Sequence, residues 1–204
     1  CGYKGHIIKE YFLNYYKHMT DMTINLCNND IKFHNNDVEN WKITLVNTGI
    51  ETMTGGRIKR VKDYIGNQPF MLTYGDGVAD VNLNDLLKFH QDHGKLMTLT
   101  SVQPEARFGA ITSNEKGLIE KFKEKPKGDG EWINGGFMVC QPEILNYIEN
   151  DETVLEQKPL SNLAIDNELM AFKHTGFWKP MDTLRDKNQL EELISTAKAP
   201  WIKW

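Results

Sequence analysis

Between Lys4 and Tyr16 the apolar residues Ile7, Ile8, Tyr11, Phe12 and Tyr15 recur at helical spacing, which predicts an opening helix with one apolar stripe for packing. Three β-prone runs follow, Met22 to Leu26, Ile31 to His34 and Lys42 to Val46. They are separated by Asn28-Asn29-Asp30 and Asn35-Asn36-Asp37, turn-forming clusters that predict protruding hairpins. Thr54-Gly55-Gly56 leads into a helix predicted over Arg57 to Ile65, and Phe70 to Tyr74 reads as a buried strand ended by Gly75-Asp76-Gly77. Asn82, with Asp85 three residues on, starts a helix carrying Leu83, Leu86, Leu87 and His90. A strand over Leu96 to Val102 comes next, then two strands around Asn114-Glu115-Lys116-Gly117. A further strand, Ile133 to Cys140, stops before Pro142, which suits a first helical position, and Thr183 to Thr196 forms the last helix. This alternation predicts an α/β fold: a mainly parallel mixed sheet flanked by helices, with small β-hairpin elements and ligands bound beyond the carboxyl ends of the strands. No linker or internal repeat interrupts residues 1–204, so one domain is expected.

Composition narrows the function. With 40% hydrophobic and 25% charged residues the chain has a globular rather than disordered make-up. The net charge of −4, with dispersed Lys and Arg, gives extended nucleic-acid binding no electrostatic footing, although small anions need only a few placed cations. Cys1, Cys27 and Cys140 lack metal-type spacing, and their odd number predicts reduced thiols and a cytoplasmic setting without zinc. No apolar run reaches the roughly 18 to 20 residues that span a bilayer, so a membrane role is not expected. The chain opens on Cys-Gly-Tyr-Lys-Gly without an initiator Met, and a loop flowing at once into a helix predicts that a preceding segment has been removed.

Four stretches carry candidate chemistry. Asp76 stands where a strand emerges between glycines, a position suited to Mg²⁺, which takes oxygen ligands from one or two carboxylates together with phosphates and water. Asp182, just before the last helix, is the candidate second acid. The competing reading makes Asp76 a turn residue and Asp182 a helix N-cap. Phe122-Lys123-Glu124-Lys125-Pro126-Lys127 presents Lys125 for a phosphate and Glu124 for hydroxyls, or is a charged edge strand. Trp132-Ile133-Asn134-Gly135-Gly136-Phe137 offers Asn134 and backbone groups to a sugar ring, or is a bulge. In Thr52-Met53-Thr54-Gly55-Gly56-Arg57 a glycine-opened helix start can receive an anion or a carbonyl oxygen, with Arg57 free to meet a base edge. The six histidines show no ligand spacing and read as surface or satisfied packing residues. The run Tyr11, Phe12, Tyr15, Tyr16 reads as core or interface.

Taken in order, Thr54-Gly55-Gly56-Arg57, Tyr74-Gly75-Asp76-Gly77, Arg107-Phe108-Gly109-Ala110, Glu124-Lys125-Pro126-Lys127-Gly128-Asp129-Gly130, Ile133-Asn134-Gly135-Gly136-Phe137 and Phe177-Trp178-Lys179-Pro180-Met181-Asp182-Thr183-Leu184-Arg185-Asp186-Lys187 resemble the glucose-1-phosphate cytidylyltransferases, a branch of the sugar nucleotidyltransferases. The resemblance implies a Rossmann-like nucleotidyltransferase domain that makes CDP-glucose and pyrophosphate from CTP and α-D-glucose 1-phosphate, for bacterial deoxysugar and O-antigen synthesis. It implies Mg²⁺ on Asp76 and Asp182 and Lys125 as the sugar-phosphate clamp. Glucose contacts would come from Gly109, Glu124, Asn134, Gly135 and Trp178, and Thr52, Thr54, Gly56, Arg57 and Gly75 would line the nucleotide site. A homo-oligomer is implied as well. The family opens on a strand and a Gly-x-Gly-Thr-Arg loop followed by a Lys-Pro element. Neither occurs in this sequence, so residues 1–204 are expected to lack an N-terminal strand–loop–helix segment and to turn over little substrate alone. The alternatives are uridylyl or thymidylyl transfer, a metal-dependent glycosyltransferase, and a binding subunit without turnover.

Overall fold

The computed structural model describes residues 1–35, 38–104, 110–115, 117–123 and 132–202. It divides into two compact units, Cys1–Tyr64 with Ile148–Glu156, and Ile65–Tyr147 with Gln157–Trp204.

In the first unit α1 (Gly5–Met19) precedes an antiparallel hairpin of β1 (Met22–Asn25) and β2 (Asp30–Phe33), in which Met22 faces Phe33 and Asn25 faces Asp30. The predicted stripe of α1 is present, but Ile7, Ile8 and Tyr11 on it are exposed and Gly5 is its buried residue. Its aromatic rings pack instead on one another and outward, with Tyr15 stacked on Trp41 at 6.5 Å and Tyr16 edge-on to Phe33 at 5.0 Å. The third predicted strand, Lys42 to Val46, is irregular, because no neighbouring strand supplies it with a ladder among the described residues. The single helix expected over Arg57 to Ile65 is two short ones, α2 (Thr54–Arg60) and α3 (Lys62–Ile65), separated at Val61. The core of this unit contains Ile58, Ile148 and Leu155.

The second unit is built on a mixed sheet with strand order β10-β5-β9-β3. β3 (Phe70–Leu72) is antiparallel to β9 (Met138–Cys140), β9 is antiparallel to β5 (Met97–Val102), and β5 is parallel to β10 (Leu169–His174). Strands β3, β5 and β10 therefore run in one sense with β9 reversed among them. The fold is the expected mixed α/β one, yet only the β5–β10 ladder is parallel. A parallel return needs a long crossover, usually a helix. The chain between β5 and β9 instead forms the hairpin β6 (Ala110–Ser113) and β7 (Ile119–Lys123), so it comes back antiparallel. β5 is buried along nearly its whole length, as a central strand covered on both faces should be. β3 was expected to be buried but stands at the sheet's edge among the described residues, with Met71 47% exposed.

The predicted strand Ile133 to Cys140 is interrupted. Its first part, β8 (Ile133–Asn134), pairs with β5 through Ser101–Asn134, and β9 resumes through Thr98–Val139, so residues 135–137 bulge between the two stretches of ladder. Gly136 and Phe137 take positive φ angles of 76° and 44° to make the turn, which glycine does at little cost. Helix α4 (Leu83–His93) lies on β5, β9 and β10, and it starts as expected with the Asn82 side chain accepting from the backbone N–H of Asn84 and Asp85. Pro142 opens a 3-10 turn, Pro142–Tyr147, and α5 (Lys158–Ile165) covers β10. A separate antiparallel ladder joins β4 (Gly77–Ala79) to β11 (Trp178–Pro180), and α6 (Leu184–Ser195) follows.

Candidate active site

The β4–β11 ladder gathers the two candidate metal acids at one end. Trp178, Lys179 and Pro180 pair with Ala79, Val78 and Gly77, and the next rung is closed by the Met181 N–H donating to the Asp76 carbonyl at 2.7 Å. Asp76 therefore sits in the Gly75-Asp76 turn just before β4, while Asp182 follows Met181 at the same end. Both residues are exposed, and neither carboxylate has a hydrogen-bond or ion-pair partner among the described residues.

The competing N-cap role for Asp182 is taken by its neighbour. Thr183 caps α6 with a full capping box: its hydroxyl accepts from the Asp186 N–H at 3.2 Å, and the Asp186 carboxylate accepts from the Thr183 N–H at 3.1 Å. The Thr183 hydroxyl together with Lys179, 3.3 Å away, holds the Asp186 carboxyl below the ordinary Asp range. Asp182 is left with no structural hydrogen bond of its own.

Asn134, Gly135 and Trp178 come together. The Trp178 indole N–H donates to the Gly135 carbonyl at 2.8 Å, tying β11 to the bulge. The Asn134 amide donates to the Tyr74 hydroxyl at 3.0 Å and its oxygen accepts from the Gly136 N–H at 3.0 Å. Gly135 is required by packing as well, because a Cβ there would lie 2.8 Å from Val102 Cγ1 and 3.2 Å from the Thr100 carbonyl. An open pocket of about 360 Å³ beside β4 is walled by Val78, Ala79, Val81, Leu83, Phe137 and Trp201. Its apolar walls suit a ring face better than a triphosphate.

Thr52, Thr54, Gly56 and Arg57 lie in the first unit. The expectation that the start of α2 offers free N–H groups is met by an internal partner, since Gly55 and Gly56 both donate to the Thr153 carbonyl, at 3.0 and 3.3 Å. A Cβ on Gly56 would stand 2.5 Å from the Asp151 carbonyl, so close backbone approach accounts for this glycine. The Thr54 hydroxyl donates to Glu156 at 2.7 Å and accepts from the Leu155 N–H at 2.9 Å. Arg57 donates to the Thr48 hydroxyl at 2.7 Å and to the carbonyls of Gly49 and Ile50 at 2.8 and 3.1 Å. Three of its five N–H groups are thereby used to hold the 48–50 loop, and two remain. Gly109, Glu124 and Lys125 lie outside the described residues.

The donor set fits Mg²⁺ in kind. Asp76 and Asp182 are hard oxygen donors at one end of a ladder, and no cluster of three or more His, Cys, Asp or Glu ligands occurs among the described residues. The described residues therefore offer no all-protein cage, and Mg²⁺ bound largely through substrate phosphates does not need one. Cys140 is buried, and burial pushes its thiol up to about 12, so it supplies no nucleophile. No helix among the described residues is long and apolar enough to cross a membrane.

Sequence reading did not single out Tyr74 as the partner of Asn134, Thr183 as the cap, or the link between Asp80 and the turn before β11. The Thr-x-x-Asp spacing at Thr183 was a usable sign of the cap. The others join residues far apart in sequence and leave no local mark.

Among known proteins, the nucleotidyl transferase family model matches residues 7–185. A glucose-1-phosphate cytidylyltransferase of Salmonella typhi is 53% identical over 205 aligned positions, which take in all of this chain and 79% of that protein. A probable glucose-1-phosphate cytidylyltransferase of Bacillus subtilis is 40% identical, with the same coverage. In fold, the chain is similar to HddC from Yersinia pseudotuberculosis complexed with GMP-PN. The TM-score is 0.62 at 16% identity, covering 95% of this chain and 76% of that one. It is also similar to a Bacillus anthracis structure described as a putative glucose-1-phosphate thymidylyltransferase, with a TM-score of 0.53 at 15% identity, covering 76% and 63%. Matched by the family model over most of its length and by relatives that it covers almost four-fifths of, the chain belongs to the nucleotidyl transferase family.

Proposed function

We propose that the protein transfers the cytidylyl group of CTP to α-D-glucose 1-phosphate, giving CDP-glucose and pyrophosphate. The observation that carries this reading is the 53% identity, over the whole chain, to an enzyme of that name. An oxygen of the sugar phosphate forms a bond to the α-phosphorus of CTP while the bond from that phosphorus to the bridging oxygen breaks, and pyrophosphate leaves with the electron pair. The chain has to align two anions rather than lend a covalent nucleophile.

Asp76 and Asp182 are the residues that would hold Mg²⁺, with Gly75 letting the nucleotide approach the backbone. The ion, when bound, supplies charge neutralisation at the phosphates. Lys125 offsets repulsion between the two substrates as a point charge. Glu124, Gly109, Asn134, Gly135 and Trp178 form the sugar side, and Asn134 is held for this by Tyr74 and Gly136 with one amide N–H to spare. Thr52, Thr54, Gly56 and Arg57 are the residues assigned to the base, and the two N–H groups that Arg57 has left are donors of the kind that the O2 and N3 acceptors of cytosine take. Uracil carries a proton on N3 and would set donor against donor. The protein works in the cytoplasm as a homo-oligomer, and its product serves bacterial deoxysugar synthesis.

A competition assay tests the reading: with CTP, UTP and dTTP at equal concentration, glucose 1-phosphate and Mg²⁺, CDP-glucose should be the main product. UDP-glucose or dTDP-glucose in excess would overturn the choice of base.

A further inference from the structure

The end of the β4–β11 ladder remote from the metal acids is closed by a side-chain device. Its last rung pairs Asp80 with Phe177. The Asp80 N–H donates to the Phe177 carbonyl at 3.1 Å, but the return bond from the Phe177 N–H goes to the Asp80 carboxylate, at 2.7 Å. The carboxylate thus replaces the main-chain acceptor and stops the ladder at that rung. His174, at the end of β10, adds a second tie. Its Nε2 is 3.0 Å from the Asp80 carboxylate and 3.1 Å from the Phe177 carbonyl. Both partners accept, so this nitrogen carries the proton and donates to the pair. The side chains of His174 and Asp80 are only 12% and 27% exposed, so water competes weakly for these bonds.

We propose that Asp80 and His174 are positioning residues that fix the register of β4 against β11 and thereby set where Asp76 and Asp182 stand. The inference rests on the reading of those two acids as the metal ligands. The ladder is short, three residues on each strand, and a short antiparallel pair is held weakly by its own bonds. At one end the Met181 N–H meets the Asp76 carbonyl, and at the other Asp80 and His174 grip both polar groups of the Phe177 peptide. His174 also ties the ladder to the main sheet through β10, whose Lys173 and His174 pair with Ser101 and Val102 of β5. A slip at Phe177 would be carried through Trp178, Lys179 and Pro180 to Asp182. β11 ends at Pro180, so the direction of Asp182 is not set by strand pleating and depends on this anchorage together with the α6 cap.

The test is Mn²⁺ binding to the purified full chain in the presence of CTP, followed by electron paramagnetic resonance, with thermal melting of each variant in the absence of metal. Asp80→Ala and His174→Ala should measurably weaken Mn²⁺ binding, by less than the roughly tenfold or more that follows when a group bonded directly to a metal ligand is removed. His174→Gln, which keeps a donor, should restore most of the affinity. A purely structural pair would lower the melting temperature and leave Mn²⁺ affinity of the folded protein unchanged, and that result would overturn the proposal. Asp76→Asn and Asp182→Asn separate the two readings. If they lose Mn²⁺ while the Asp80 and His174 variants retain it, the positioning role is wrong and the metal assignment stands. If they bind Mn²⁺ like the unaltered protein, the metal assignment fails and the proposal with it.

Discussion

Thr98→Val should be among the more damaging near-isosteric changes in the second unit, because one hydroxyl satisfies two imidazoles. Thr98 is fully buried on β5, and its Oγ1 lies 2.9 Å from His90 Nδ1 and 2.7 Å from His93 Nε2. The Lys95 N–H donates to His93 Nδ1 at 2.9 Å, so the proton of a neutral His93 is on Nε2 and goes to the Thr98 oxygen. The arrangement that leaves no donor unpaired then has Thr98 donating to His90 Nδ1 and His90 Nε2 donating to the Gln141 carboxamide, 3.1 Å away, turned to present its oxygen. Valine keeps the shape, so no cavity opens and the loss is polar. His90 is 1% exposed, and leaving its Nδ1 unpaired costs about 1 to 3 kcal/mol. His93 is half-buried and partly recovers its bond from water, which leaves about 0.5 to 1.5 kcal/mol more. A total of about 1.5 to 4.5 kcal/mol should appear as a lower urea midpoint with an unchanged slope. Thr98→Ser, which keeps the hydroxyl and loses a methyl, should cost less. A Thr98→Val protein within about 0.5 kcal/mol of the unaltered one, the ordinary range for inconsequential changes, would refute the network.

The same histidines set a pH dependence. Burial, ahead of charge from His93 in one case and Lys95 in the other, lowers the pKa of His90 and His93, outweighing Asp92 and Glu168 beside His93. The unfolded chain then takes up protons near pH 6.5 that the folded chain refuses. Their stabilising contribution is full above about pH 6.5 and is lost as the pH falls towards the folded-state values, so melting temperature should drop on acidification, with a shallower slope in His93→Gln. Gly56→Ala should destabilise by about 1 to 3 kcal/mol through the clash with the Asp151 backbone, read by urea unfolding. Arg57→Lys keeps the charge but loses the fork that holds Thr48, Gly49 and Ile50. It should lower the preference for CTP over UTP, and equal loss with both nucleotides would reduce Arg57 to a loop anchor.

Much of the element order was legible because the local signals were strong. Asn82 before Leu83 and Leu86 gave a true N-cap, and the Asn114-to-Gly117 turn gave the β6–β7 hairpin. Pairing direction was less legible, since alternation of strands and helices does not say that β9 returns antiparallel beside β5. The break at Gly135 to Phe137 was visible as a glycine pair, but the run around it is apolar enough to read as one strand. Nothing in the sequence marks the division near Tyr64, which falls within α3 rather than in a polar linker. The exposed stripe of α1 shows the limit of periodicity, which predicts a face but not what covers it. At the site, Asp76 and Asp182 were named from local motifs, whereas the bonds of Asn134 to Tyr74 and of Asp80 to His174 span 60 and more residues and emerge only from the fold.

Cytidylyl transfer itself is tested most directly by following the phosphates of CTP. The full-length protein is incubated with glucose 1-phosphate, Mg²⁺ and CTP labelled at either the α- or the γ-phosphorus, and the products are separated by anion exchange. Cytidylyl transfer puts α-label in CDP-glucose and γ-label in pyrophosphate, in equal amounts and only when both substrates are present. Glucose appearing on an acceptor without pyrophosphate, or nucleotide binding with no movement of either label, would contradict it.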